Sequence, residues 1–121
     1  MKKLQDKVAI VTGAAMGMGA SIAKIYAKYG AKLIITDVSD KLEETAADIR
    51  AQYGTEVVVS KADVTKPEDM KAAVAAGVAA FGRIDVAACN AGVCRLGNFL
   101  EMTDKDRDFH IDVNIKGVWN T

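Results

Sequence analysis

Three glycines and one acid carry the chemistry most legible in this chain. The run Val8-Ala9-Ile10-Val11-Thr12-Gly13-Ala14-Ala15-Met16-Gly17-Met18-Gly19 empties an apolar segment into a glycine-rich turn, and Asp37 closes the next apolar run. Gly13 permits a tight exit from a strand, Gly17 lets the backbone approach a phosphate, and Gly19 lets a helix pack closely. A helix start offers free N–H groups and the positive end of its dipole to an anion. The spacing is Gly-x-x-x-Gly-x-Gly rather than the commoner Gly-x-Gly-x-x-Gly. A lone glycine triplet is a weak signal. Set between a buried strand and an amphipathic helix, with an acid ending the following strand, it points to the pyrophosphate and ribose of a dinucleotide.

Asp37 lies 18 residues beyond Gly19. A carboxylate there accepts hydrogen bonds from the adenosine ribose hydroxyls. It repels a 2′-phosphate by about 4 kcal/mol per unit charge at ~4 Å in an effective dielectric near ~20, less at a wet crevice mouth. Neither Met16 nor Val38 supplies a compensating positive charge. NAD is therefore expected over NADP. The competing reading makes Asp37 a helix-entry residue only.

Other reactive side chains form no comparable group. Cys89 and Cys94 make neither a disulfide framework nor a four-ligand metal site. Asp63, Asp85 and Asp112 have no metal-ligand spacing, so no metal is assigned. The single histidine, His110, falls on an expected helix and reads as structural.

The elements that must position these residues alternate. Short apolar runs at Val8–Val11, Leu33–Thr36, Val57–Val59 and Ile84–Ala88 suit strands covered on both faces of a parallel sheet. Between them Met18, Ile22, Ile25, Tyr26 and Tyr29, then Leu42, Ala46, Ile49 and Tyr53, then Met70, Val74, Val78 and Phe81 advance at the helical period. Gly30, Gly54 and Gly82 follow the last apolar residue of each helix, as C-terminal caps do. Ser39 or Asp40 is expected to cap the second helix, and Thr65 with Glu68 reads as a capping box with Pro67 in the first turn. Right-handed crossovers then give the strand order 3-2-1-4, with a ligand crevice outside the carboxyl ends of strands one and four. A loop from Asn90 to Met102 leads to a fourth helix opened by Thr103 and Asp106. That helix carries Phe109, Ile111, Val113, Ile115, Val118 and Trp119, which cover more than one stripe and imply another subunit beside it.

Bulk properties exclude several classes. The 121 residues allow one domain; 16 basic and 16 acidic residues balance and are scattered, so no electrostatic footprint for nucleic acid or a membrane surface exists. No apolar run is long enough to span a bilayer, and the first residues lack a signal-peptide core, so the cytoplasm is the default expectation.

Thr12-Gly13-x-x-x-Gly17-x-Gly19, Asp63-Val64-Thr65 after the third strand and Asn90-Ala91-Gly92 after the fourth together resemble the short-chain dehydrogenase/reductase family, from about Lys7 to Thr121. The resemblance implies a Rossmann-type doubly wound parallel α/β sheet, truncated here after the fourth strand and following helix. Residues 1–121 would be the dinucleotide-binding half of a single domain, with the catalytic half not in the chain. It implies an NAD(P)-dependent oxidoreductase moving hydride between an alcohol or ketone and the cofactor, homo-oligomeric in its full-length form. The implied cofactor contacts are Gly13, Ala15, Met16, Gly17, Met18, Gly19, Asp37, Asp63, Val64, Asn90, Ala91 and Gly92. Asp63 would meet the adenine amino group. Asn114, in Asn114-x-x-Gly117, is the implied catalytic-side residue, positioning a water beside a catalytic lysine. The segment from Gly92 to Trp119 further resembles one bacterial oxidoreductase subgroup, without specifying a substrate.

Two departures stand out. Family members read Asn-Asn-Ala-Gly where this chain has Cys89 first. They also use a serine and a Tyr-x-x-x-Lys, in which the lysine lowers the tyrosine pKa and the tyrosine moves the hydroxyl proton. Here Tyr26, Tyr29 and Tyr53 are followed four residues later by Gly30, Leu33 and Val57. Turnover by these 121 residues alone is not expected. The alternative function is a non-catalytic nucleotide-binding or interaction module.

Overall fold

The computed structural model describes residues 2–121. β1 (Val8–Thr12), β2 (Lys32–Asp37), β3 (Val57–Lys61) and β4 (Val86–Ala88) form a parallel sheet in the order β3-β2-β1-β4. Between them run α1 (Gly17–Lys28), α2 (Leu42–Tyr53) and α3 (Pro67–Phe81). The expected order and alternation are both present. Ile84 lies before β4, Thr12 extends the first strand, and Lys32 and Asp37 extend the second at either end.

Strand alternation sorts the core into two layers. Ala9, Val11, Leu33 and Ile35 face α1 and α2 through Ala23, Ala27, Leu42, Ala46 and Ile49. Val8, Ile10 and Ile34 face the other way, toward Met70 of α3 and Val113. Helices therefore cover both faces, and β1 and β2 are buried along almost their whole length. That is why their sequences read as unbroken apolar runs.

Two cap assignments differ from the sequence reading. Thr65 does not open α3: its N–H and its hydroxyl both donate to Asp63 Oδ1, at 2.9 and 2.7 Å. Lys66 is the N-cap, Pro67 starts the helix, and Asp69 reaches back to accept from the Asp63 N–H at 3.0 Å. The competing local turn at Asp63 wins because it satisfies two donors at once. At α2, Lys41 stands at the N-cap; Ser39 Oγ accepts from its N–H at 3.2 Å, and Asp40 pairs instead with Lys61. α2 and α3 end on Gly54 and Gly82 in left-handed conformation.

The last segment is not one uniform helix. A 3-10 turn at Phe99–Glu101 precedes α4 (Asp104–Ile111), which passes through a π turn (Asp112–Lys116) into α5 (Gly117–Asn120). Thr103 and Asp106 form the capping box expected there. α5 is pinned to the loop after β3: a Cβ on Gly117 would lie 2.6 Å from Val64 Cγ2, and Asn120 Nδ2 donates to the Val64 carbonyl at 2.8 Å.

Two carboxylates tie these parts together, and both are held below the ordinary carboxyl value. Val8 N–H donates to Asp85 Oδ2 at 2.9 Å; this bond first, and Arg83 second, hold the Asp85 carboxyl below its ordinary value. Thr103 N–H, then Arg95, bring Asp106 down to about 2. The unfolded chain binds these protons more readily, so the stabilisation is complete above the ordinary value of 3.8 and is lost as pH falls through the folded values. Urea midpoints are expected to hold steady near neutrality and to drop between pH values of about 4 and about 2. Asp106→Asn is expected to lower the neutral midpoint and to shrink that drop.

Candidate functional site

A cleft of about 660 Å³ opens at the carboxyl ends of the strands, within the size range of small-molecule sites (about 300–1,000 Å³). Its walls include Gly13, Met16, Met18 and Gly19 from the first turn, Asp37 from β2, Asp63 and Val64 after β3, and Asn90, Ala91 and Gly92 after β4. Four sequence-distant segments thus converge where the strand order reverses. Ala15, Gly17 and Asn114 are not among the lining residues. Thr36, Val93, Phe109, Asp112 and Val113, which the sequence reading did not select, are.

The glycine turn is shaped by two conditions. Gly13 and Gly17 adopt φ of +67° and +58°, where a side chain is strained. Gly19 cannot carry a side chain for a different reason: its Cβ would sit 2.0 Å from the Gly13 carbonyl oxygen. Around Gly17, by contrast, a Cβ would meet nothing within 4 Å, so the backbone there faces open space. α1 begins with Met16 as an N-cap that makes no side-chain hydrogen bond, and its first turn holds no acid. The first turns of α2 and α3 carry Glu43 with Glu44 and Glu68 with Asp69. The mouth of α1 therefore keeps its donors and its positive dipole end unneutralised.

Ala15 is held from both sides. Its N–H donates to Asp37 Oδ2 at 2.9 Å, and its carbonyl accepts from Thr45 Oγ1 of α2 at 2.7 Å. Asp37 Oδ1 accepts from Ser39 N–H at 3.0 Å. A carboxylate has about four acceptor positions, so Asp37 retains capacity for two further donors. Asp63 uses only Oδ1 for Thr65, leaving Oδ2 without a protein donor among the described residues.

The β4 side is stitched to β1. Thr12 Oγ1 accepts from Ala91 N–H at 3.0 Å, and Asn90 Nδ2 donates to the carbonyls of Thr12 and Gly13 at 3.2 and 3.3 Å. Cys89, exposed, makes no part of this stitch. Thr36 Oγ1 is buried with no partner among the described residues. Asn114 lies in the π turn, with Nδ2 donating to the Val93 carbonyl and Oδ1 accepting from the Val93 N–H, both at 2.8 Å. Its amide thus holds the post-β4 segment. Among the described residues no group of three or more His, Cys, Asp or Glu side chains could hold a metal, and no helix is long and apolar enough to cross a membrane.

A family model described as short chain dehydrogenase matches residues 7–121. The chain belongs to that family. It is 51% identical over 120 residues to an oxidoreductase named UcpA from Salmonella typhimurium, covering 99% of this chain and 45% of the relative. Among solved structures, a short-chain dehydrogenase from Mycobacterium paratuberculosis bound to NAD is 32% identical with a TM-score of 0.94 over 98% of this chain and 49% of that one. An alcohol dehydrogenase from Thermococcus sibiricus complexed with 5-hydroxy-NADP is 34% identical with a TM-score of 0.90, covering 95% and 48%. The chain thus spans about half the length of the short-chain dehydrogenases it matches.

The two conditions on the turn separate by mutation. Gly19→Ala forces backbone apart and is expected to lower stability by about 1–3 kcal/mol. Gly17→Ala adds only left-handed strain, about 1–2 kcal/mol, with no packing conflict. Urea unfolding should rank Gly19→Ala as the more damaging, and a reversed order would reject the close-approach assignment.

Proposed function

We propose that this chain supplies the dinucleotide-binding part of an oxidoreductase acting on an alcohol or ketone, with NAD preferred over NADP. The observation that carries this reading is the uncapped, acid-free mouth of α1 facing a carboxylate held across the turn at Ala15. Backbone amides of Met16, Gly17, Met18 and Gly19 would take the pyrophosphate. Asp37 would accept from the ribose hydroxyls, and Asp63 with the Val64 backbone would bind the adenine edge. Asn90, Ala91 and Gly92 would border the nicotinamide half. When bound, the nicotinamide ring exchanges hydride with a carbinol carbon of the substrate.

Asn114, reading from its geometry, acts through the Val93 backbone that it grips. NAD-bound and NADP-analogue-bound relatives both exist in the family, so the preference rests on Asp37 alone. Its negative charge opposes a 2′-phosphate, and the neighbouring lysine Lys61 is engaged with Asp40 at 2.6 Å.

Calorimetric titration with NAD and NADP tests both parts. NAD is expected to bind more tightly, and Asp37→Ala is expected to shrink the NAD-to-NADP affinity ratio by about tenfold, the scale of one hydrogen bond to a charged group. Equal affinities in the native chain would reject the preference. No binding of either, with the fold intact by circular dichroism, would reject the site.

A further inference from the structure

The segment after Gly92 is tied to the face of α4 by side chains four residues apart, and one of them can change charge. Asn114 grips Val93 through both its backbone groups. One turn earlier, the Arg95 N–H donates to His110 Nε2 at 2.8 Å. One turn earlier again, Asp106 Oδ1 meets Arg95 Nη1 at 2.9 Å, and the guanidinium lies 4.2 Å from the Phe109 ring centroid.

The His110 geometry has only one consistent proton assignment. A backbone N–H can only donate, so Nε2 must be a bare acceptor toward Arg95. His110 Nδ1 lies 2.6 Å from the Asp106 carbonyl oxygen, which can only accept, so Nδ1 must carry the proton. Both contacts are satisfied together only in the Nδ1–H form.

We infer that His110 is a positioning residue for the cleft: in its Nδ1–H form it holds the Arg95 backbone and, together with Asn114, sets the segment Gly92–Arg95, of which Gly92 and Val93 wall the β4 side. A second proton on Nε2 would turn that acceptor into a donor opposite the Arg95 N–H, and the bond would be lost. Charged groups of both signs stand near this contact. The Arg95 guanidinium, from the post-β4 segment, adds positive charge. Asp106, on the same helix, is committed to Arg95 and to the N–H and hydroxyl of Thr103. Glu101, from the 3-10 turn, shares the neighbouring hollow with Arg95 and Asp106. The Asn114 grip on Val93 contains no titrating group. The Asn114 grip on Val93 is thus independent of the imidazole proton, whereas the Arg95 bond requires a bare Nε2. Val93 and Phe109 both line the cleft, so this hold bears on whatever the cleft binds; its effect on a nicotinamide cofactor rests on the function proposed above.

The test is nuclear magnetic resonance of the full chain, with imidazole nitrogen shifts and amide exchange read through one acid titration. The native chain should show the Nδ1–H tautomer, and the Arg95 amide should exchange about fivefold more slowly than in His110→Ala, the scale of one hydrogen bond. That protection should vanish in step with imidazole protonation while the Val93 protection persists. His110→Gln, which offers an acceptor that does not titrate, should keep the Arg95 amide protected throughout. An Nε2–H tautomer in the native chain, or equal Arg95 exchange in native and His110→Ala, would overturn the inference. NAD titration of the same samples separates the two proposals: failure of the native chain to bind NAD removes the proposed function and leaves the Arg95 exchange result standing.

Discussion

The contact on which the site depends is between the backbone of Gly19 and the carbonyl of Gly13. With no side chain at Gly19, the first turn of α1 comes down directly onto the exit from β1. Any larger residue would push the helix mouth away from the sheet. That approach sets the unneutralised amides of α1 at the carboxyl edge of the sheet, next to the acid that ends β2. The electrostatic character of the cleft follows from packing at one glycine.

Around this contact the chain uses polar side chains as braces more than as ligands. Thr12 and Asn90 join β1 to the turn after β4, and Asp37 and Thr45 take the two backbone groups of Ala15. Asn114 takes both backbone groups of Val93, and His110 accepts from the N–H of Arg95. The common logic is that a turn facing a cleft cannot satisfy its own backbone groups through sheet or helix ladders. Side chains from the neighbouring elements supply the missing partners and fix the turn's shape. Asp37 shows that one carboxylate can serve as brace and still keep acceptor capacity toward the cleft.

The most exposed apolar residues, Leu96, Trp119, Leu100 and Phe99, lie in the last third of the chain, while Met16, Met18 and Val38 are exposed at the cleft. α1, α2 and α3 bury Gly19, Ala23 and Ala27, then Leu42, Ala46 and Ile49, then Met70, Ala73 and Gly77, while Met18, Ile25 and Val78, which the helical period places with the apolar series, are exposed. α4, the π turn and α5 contact the rest through Phe109, Val113 and Gly117 and through hydrogen bonds to loops. Their apolar residues therefore follow no single face, and the sequence pattern did not reveal the π turn that carries Asn114.

The sequence by itself determined the α/β alternation, the strand order and the glycine turn, because these rest on local rules: apolar period, crossover handedness and the conformations open to glycine. It also located most of the cleft residues, since Asp37 ends a strand and Asp63 and Asn90 stand just past strand ends. The tertiary structure alone decided which donor each polar side chain serves. Thr65 turned to Asp63 instead of capping α3, Thr45 reached Ala15 thirty positions away in sequence, and His110 took up the Arg95 backbone. Hydrogen bonds of that kind depend on distances of a few ångströms between segments, which only the packing of two helical layers on the sheet establishes.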